Sequence, residues 1–314
     1  FASMLAIFSS KMKKRSFTMI NSKKMRLTMF AASMVAAGAL TGCFDDKSSD
    51  PSTTGFGLGA AKGAINGATC NYKTAVNTNG FAGTTDANGE VQVAVTPGFG
   101  ANDYPVVITC VGGTYFDESD NSTQPQTEPM RSVIPDAQSI AEVGGKIGVN
   151  PFTELATALF DSLPAGAANR TAAAAKASYG EIGRLFAPGM VANGGALNLM
   201  QASTPVSTAT PTLGNNVAGQ LATYLAGFAK YAATNGGSMA VLADLRTKIA
   251  TGTAVPASVA QGIKTQANSY TPGAQTGVTT QPSGNGGTAQ KPTSGGTTGG
   301  TGGTGGTGGS GGQP

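Results

Sequence analysis

Histidine and tryptophan are absent from the 314 residues, and charged side chains make up only 11% of the chain. Without histidine there is no Ser-His-Asp or Cys-His catalytic unit, no His-ligated zinc and no imidazole proton shuttle near neutral pH. The three cysteines, Cys43, Cys70 and Cys110, show no C-x-x-C spacing, which argues against a catalytic or metal-binding cysteine pair. A phosphate-binding loop is missing as well. What the chain has in excess is glycine, 47 residues, set beside 39% hydrophobic residues that suffice for a core.

The formal charge of +4 is unevenly distributed. Seven of the 20 basic residues precede residue 43 and all 16 acidic residues follow it, so from there on the balance is negative. A nucleic-acid partner is therefore not expected. The early basic cluster leads, through Arg26, into an apolar stretch from Leu27 to Ala39 that is too short for a comfortable membrane span. Basic region followed by short apolar region is the pattern of an export signal. The chain opens on Phe1, so translation is expected to start at Met19 or Met25, with residues 1–18 left out of fold reasoning.

Leu40-Thr41-Gly42-Cys43 closes the apolar stretch and resembles the bacterial lipobox at all four positions. The resemblance implies that Cys43 carries diacylglycerol and an N-acyl chain and becomes the first residue of the mature protein. Several acyl chains anchor far more firmly than one. Phe44 after the cysteine, rather than aspartate, points to the outer membrane or cell surface. Residues 43–55 are polar and small, as a tether would be. With Cys43 committed to lipid, Cys70 and Cys110 remain in an oxidising compartment and are expected to pair.

From Phe56 to about residue 118 turn signals recur at short intervals and valines alternate at 91, 93 and 95, as in a strand with one buried face. Val106–Val111 is apolar on both faces, fitting a central strand. Gly63-Ala64-Ile65-Asn66-Gly67-Ala68, followed by Gly83-Thr84-Thr85-Asp86-Ala87-Asn88-Gly89-Glu90-Val91, resembles the carboxypeptidase-regulatory-like, transthyretin-type sandwich repeat. That resemblance implies a small β-sandwich acting as a spacer, stalk or ligand-presenting module. Asp86, Asn88 and Glu90 admit two readings, a calcium loop or a hairpin turn. The turn already explains them, and a full calcium loop would need further ligands.

Residues 119–146 read as a connection with one edge strand near Val133-Ile134. Helical spacing takes over at Asn150-Pro151, where Phe152, Leu155, Ala156, Leu159, Phe160 and Leu163 lie on one face. Val149-Asn150-Pro151-Phe152-Thr153-Glu154-Leu155-Ala156, after the Gly112-Gly113-Thr114-Tyr115 strand, is similar to the segment opening the helical region of some exported bacterial lipoproteins. Further helices are expected at about 170–186, weakly at 197–202, at 217–233, at 239–250 capped by Ser238, and from Pro256 to Tyr270. The fold class is α+β by segregated domains: a disulfide-linked sandwich, a helical bundle over 147–270, and a Gly/Thr-rich coil from 271 with a reach of about 40 Å.

Acid–base pairs are few, Glu154 with Asp161 on one helix and Glu181 with Arg184. The expected role is non-catalytic: a lipid-anchored envelope protein, needing no cofactor, whose partners are the membrane and a surface polymer or protein. The alternatives are a periplasmic accessory or solute-binding lipoprotein and, third, a carboxylate-based hydrolase.

Overall fold

The computed structural model describes residues 54–117, 122–191, 195–203, 216–269 and 284–293. The chain divides into Phe1–Ser48 and Ser49–Pro314, and the described residues all belong to the second unit. Leu40, Thr41, Gly42, Cys43 and most of the tether lie outside them. No helix among the described residues is long and apolar enough to cross a membrane.

Among the described residues ten strands form three small sheets, and seven α-helices follow or interrupt them, so the class is α+β. In the first sheet β1 (Thr54–Ala60) lies between β5 (Glu90–Val95), antiparallel, and β10 (Lys146–Val149), parallel. One face of β1 sends Phe56, Leu58 and Ala60 into the core, and its other face is glycine. A Cβ on Gly57 would meet the Lys146 side chain at 3.1 Å, and one on Gly59 would fall 2.9 Å from the Ala202 Cβ. The bare strand lets Lys146 cross over β1 and pair with Glu90 on the far side. The second sheet is β2 (Ile65–Asn66), β7 (Thr114–Asp117) and β8 (Ser122–Pro125). The third has the order β4 (Asn79–Thr84), β3 (Thr69–Lys73), β6 (Val106–Val111), β9 (Met130–Ile134).

Cys70 and Cys110 face each other across the β3–β6 ladder and form a disulfide. The expected pairing is therefore present, joining an early strand to a late one. As expected from the valine alternation, Val93 and Val95 are buried on β5. β6 is a central strand, but only Val106, Ile108 and Cys110 are fully inside, while Val107, Thr109 and Val111 face a partly open side. The stretch read as a connection holds β8 and β9, and β9 is indeed an edge strand. β10 was not legible, because a four-residue segment with two glycine neighbours carries no period.

Helix α1 (Ala137–Glu142) starts at Asp136, whose carboxylate accepts from the Ser139 N–H at 2.7 Å. Burial opposes the charge on Asp136, yet its bonds to Ser139 and Lys176 hold its carboxyl below the usual range. Helix α2 (Pro151–Asp161) begins where the sequence places it. Asn150 Oδ1 accepts from the N–H groups of Phe152 and Thr153, and Pro151 occupies the first helical position. Its surroundings differ from the one-sided expectation, since every residue from Pro151 to Phe160 is buried. Packing of β9, α3 (Ala172–Phe186) and α6 (Ser238–Thr251) around it is the reason. The Asn150 side chain also donates to the Leu199 carbonyl, so Asn150→Ala should cost about 1–2 kcal/mol in urea unfolding, the upper range for a lost cap.

Short α4 (Pro188–Val191), then α5 (Val217–Ala233) and α7 (Ala257–Ser269), complete the helices, α5 lying along α7. The expected Ser238 cap is corrected: Gly237, with φ 95°, holds the cap position without a side-chain bond, and Ser238 is already inside the first turn. Within the stretch read as coil, residues 284–293 lie against the protein body. Gly284 and Gly286 donate to the carbonyls of Phe186 and Leu185, Gly287 pairs with Val255, and Ala289 is buried. A Cβ at Gly284 would fall 1.8 Å from the Leu185 oxygen. Glycine content, which marks a coil in isolation, here allows backbone to lie on backbone. Sheets and helices share one hydrophobic core.

Candidate functional site

The outer face of the β4-β3-β6-β9 sheet is where polar chemistry collects. Side chains of one face recur every second residue, and the registers Phe81↔Asn71, Asn71↔Thr109 and Thr109↔Arg131 set one residue from each strand into a single row. A bulge opposite Cys70/Asn71 skips Ala82, which turns inward, and aims Phe81 outward. Phe81 is 64% exposed, the most exposed large apolar side chain among the described residues. The row thus runs from aromatic ring to amide, hydroxyl and guanidinium over three inter-strand spacings, about 14 Å.

Beyond Thr109 the row enters a cleft of about 600 Å³ whose lining includes Lys73, Asn77, Arg131, Phe160, Asp161 and Arg170. Toward Phe81 it continues as a shallower depression that shares Lys73 and Thr109. On the other side Arg131 and Asp161 border a third depression beside Arg246. The three form one trough along the junction of sheet and α2.

Its electrostatics are set by a chain of alternating charges. Arg131 donates Nε and Nη2 to the Glu154 carboxylate at 2.7–3.2 Å and Nη1 to Asp161 at 2.5 Å. Arg246 reaches Glu128 at 3.0 Å and Glu154 at 3.8 Å. Arg170 lies 3.7 Å from Asp161 and donates to the carbonyls of Asp161 and Leu163, which closes the open end of α2. Glu154 is fully buried. Burial pushes its carboxyl up against the downward pull of Arg131 and Arg246, whereas Arg131 is held above its ordinary value because Glu154 and Asp161 outweigh its own desolvation. The bidentate contact decides between these opposed tendencies: the pair is ionic. Three arginines balance three acids in this network, and Lys73 is outside its ion pairs.

Glu154 and Asp161, a plain pair on one helix in the sequence, are brought together on Arg131. Glu181 and Arg184 form a surface pair that also holds the 284–293 segment, through the N–H of Gln290 and the carbonyl of Thr288. Asp86 spends its Oδ1 on the N–H groups of Asn88 and Glu90 within the hairpin turn, and Glu90 is paired with Lys146. Among the described residues no cluster of three or more acidic or cysteine side chains could hold a metal ion. Arg131, Lys73, Arg170 and Arg246 escaped the sequence reading, since each is a lone basic residue in an unremarkable context. Phe81 escaped it as well, since Asn79 and Gly80 before it belong to strand β4 and not to a turn. No protein-family model, curated protein or solved structure matches the chain.

Proposed function

We propose that the protein is a lipid-anchored bacterial envelope protein, displayed at the outer membrane or cell surface, that binds a neutral glycan chain along the sheet-side trough. Cys43 carries the lipid, and the strands form a transthyretin-type sandwich that presents the binding face. The observation behind this reading is the row Phe81, Asn71, Thr109, Arg131. An exposed ring offers a flat apolar surface to the C–H face of a sugar, and the amide, hydroxyl and guanidinium groups beyond it match sugar hydroxyls. With three arginines paired to three acids and Lys73 outside that network, the trough carries little net charge, which favours a neutral polymer over a polyanion. Binding rather than hydrolysis is supported because Glu154 is buried and bonded, and Asp161 is already engaged by Arg131.

Native electrophoresis through gels containing soluble β-glucan, dextran or purified peptidoglycan fragments tests the binding. Retardation in one of them, reduced about tenfold in affinity by Phe81→Ala, is the expected result; a loss of about 1.4 kcal/mol corresponds to that factor. Stability should stay within about 0.5 kcal/mol, because the ring is exposed. Unretarded migration in every gel would overturn the glycan reading. The 600 Å³ cleft also has the size of a small-molecule pocket, which favours a periplasmic solute-binding role as the second reading. Protease treatment of intact cells separates them: loss of helical peptides places the protein outside, and protection until the outer membrane is opened places it within. Mass spectrometry of the same preparation should find lipid on Cys43.

A further inference from the structure

Lys62 is fully buried, the second largest fully buried side chain among the described residues, although lysine is among the residues least often found inside. Its Nζ lies 2.8 Å from Asp117 Oδ2 and 3.7 Å from the centre of the Tyr115 ring. Asp117 is itself almost wholly buried. The two residues are 55 positions apart, and the backbone fixes their approach. Lys62 sits in the tight turn between β1 and β2, β2 pairs with β7 through Ile65↔Tyr115, and Asp117 ends β7. Gly63 has no Cβ because one would lie 2.2 Å from the Phe116 carbonyl oxygen, so the turn lies directly on β7. A buried charge pair is a weak source of net stability against apolar packing of the same volume. Its retention here, away from the trough, calls for another role.

We propose that Lys62 and Asp117 condense into an intramolecular amide, a covalent link between the β1–β2 turn and β7. The proton on Nζ passes along the 2.8 Å contact to the carboxylate, giving a neutral amine and a carboxylic acid, the form that a water-poor interior favours over separated charges. The amine lone pair attacks Asp117 Cγ. The tetrahedral adduct then loses one hydroxyl together with a proton from nitrogen, so one C–N bond forms, one C–O bond breaks and one water leaves. No oxidation state changes and no co-reactant is consumed. The Tyr115 ring covers the amine on one side and keeps water from it, while the paired strands hold the reacting atoms together as a bound pair would be held.

The test is mass measurement on the whole protein isolated from the cells that make it, after reduction and denaturation. The expected mass is lower by one water than the sequence and lipid account for. Digestion should give a branched peptide joining the segments that contain Lys62 and Asp117, with no tryptic cut after Lys62. Asp117→Asn should give the same branch with loss of ammonia in place of water. Linear peptides carrying unmodified Lys62 and Asp117 from the wild-type protein would overturn the proposal, and so would a lost water mapped to any other residue. The wild-type measurement does not depend on whether any variant folds, and it is independent of the glycan-binding assay.

Discussion

Serine at both Cys70 and Cys110 should lower the unfolding free energy by about 4 kcal/mol, measured by urea unfolding against the oxidised protein. The bridge closes a 40-residue separation, and the chain-entropy model gives about that value for such a loop. The bridge ties β3 to β6, the two inner strands of the four-stranded sheet. The Lys62–Asp117 contact brackets the same segment, so the two links are not additive. With an amide in place, the disulfide closes only the flanking stretches of about 15 residues and its contribution drops to about 3 kcal/mol. A change under about 1 kcal/mol would show that the strands hold their register without the bridge.

Arg131→Met should be the most damaging single change in the trough, costing about 3–5 kcal/mol, because it leaves Glu154 buried with its main partner gone. Adding Glu154→Gln should recover a large part of that loss, since the unpaired charge is then removed as well. The pH dependence carries the signature. In Arg131→Met, burial raises the Glu154 carboxyl further above its ordinary value, so the folded state binds a proton that the unfolded state releases. Stability of the variant therefore rises as pH falls from neutral through the raised folded value, and levels off below the ordinary glutamate range. The double variant should lack this rise. A flat profile in Arg131→Met would mean that Arg246, 3.8 Å away, is enough to hold the charge.

Much of the helical part was legible because local chemistry and burial agree there. Asn150-Pro151 caps and starts α2 as the sequence implies, and α5 spans Val217–Ala233, the range its apolar spacing marks. Strand β5 was legible for the same reason, its alternation being fixed by one buried face, and β6 by its continuous apolar run. The trough was not, for its residues come from β3, β4, β6, β9 and α2 and have no common period. Thr153 shows the difference on a single side chain. Its place near a helix start is read from the sequence, but its Oγ bond to the Arg131 carbonyl, 2.7 Å long, exists only because β9 runs beside α2.

By itself the sequence determined the absence of histidine chemistry, the cysteine pairing and the position of the capped helix α2. Each of these follows from residue type or from contacts a few positions apart. Tertiary structure alone decided that β10 joins β1, that a glycine-rich segment packs on α3, that Arg131 gathers Glu154 and Asp161, and that Lys62 meets Asp117. Those are encounters between segments distant in the chain, and only the shared core, by closing all of them at once, brings them within bonding distance.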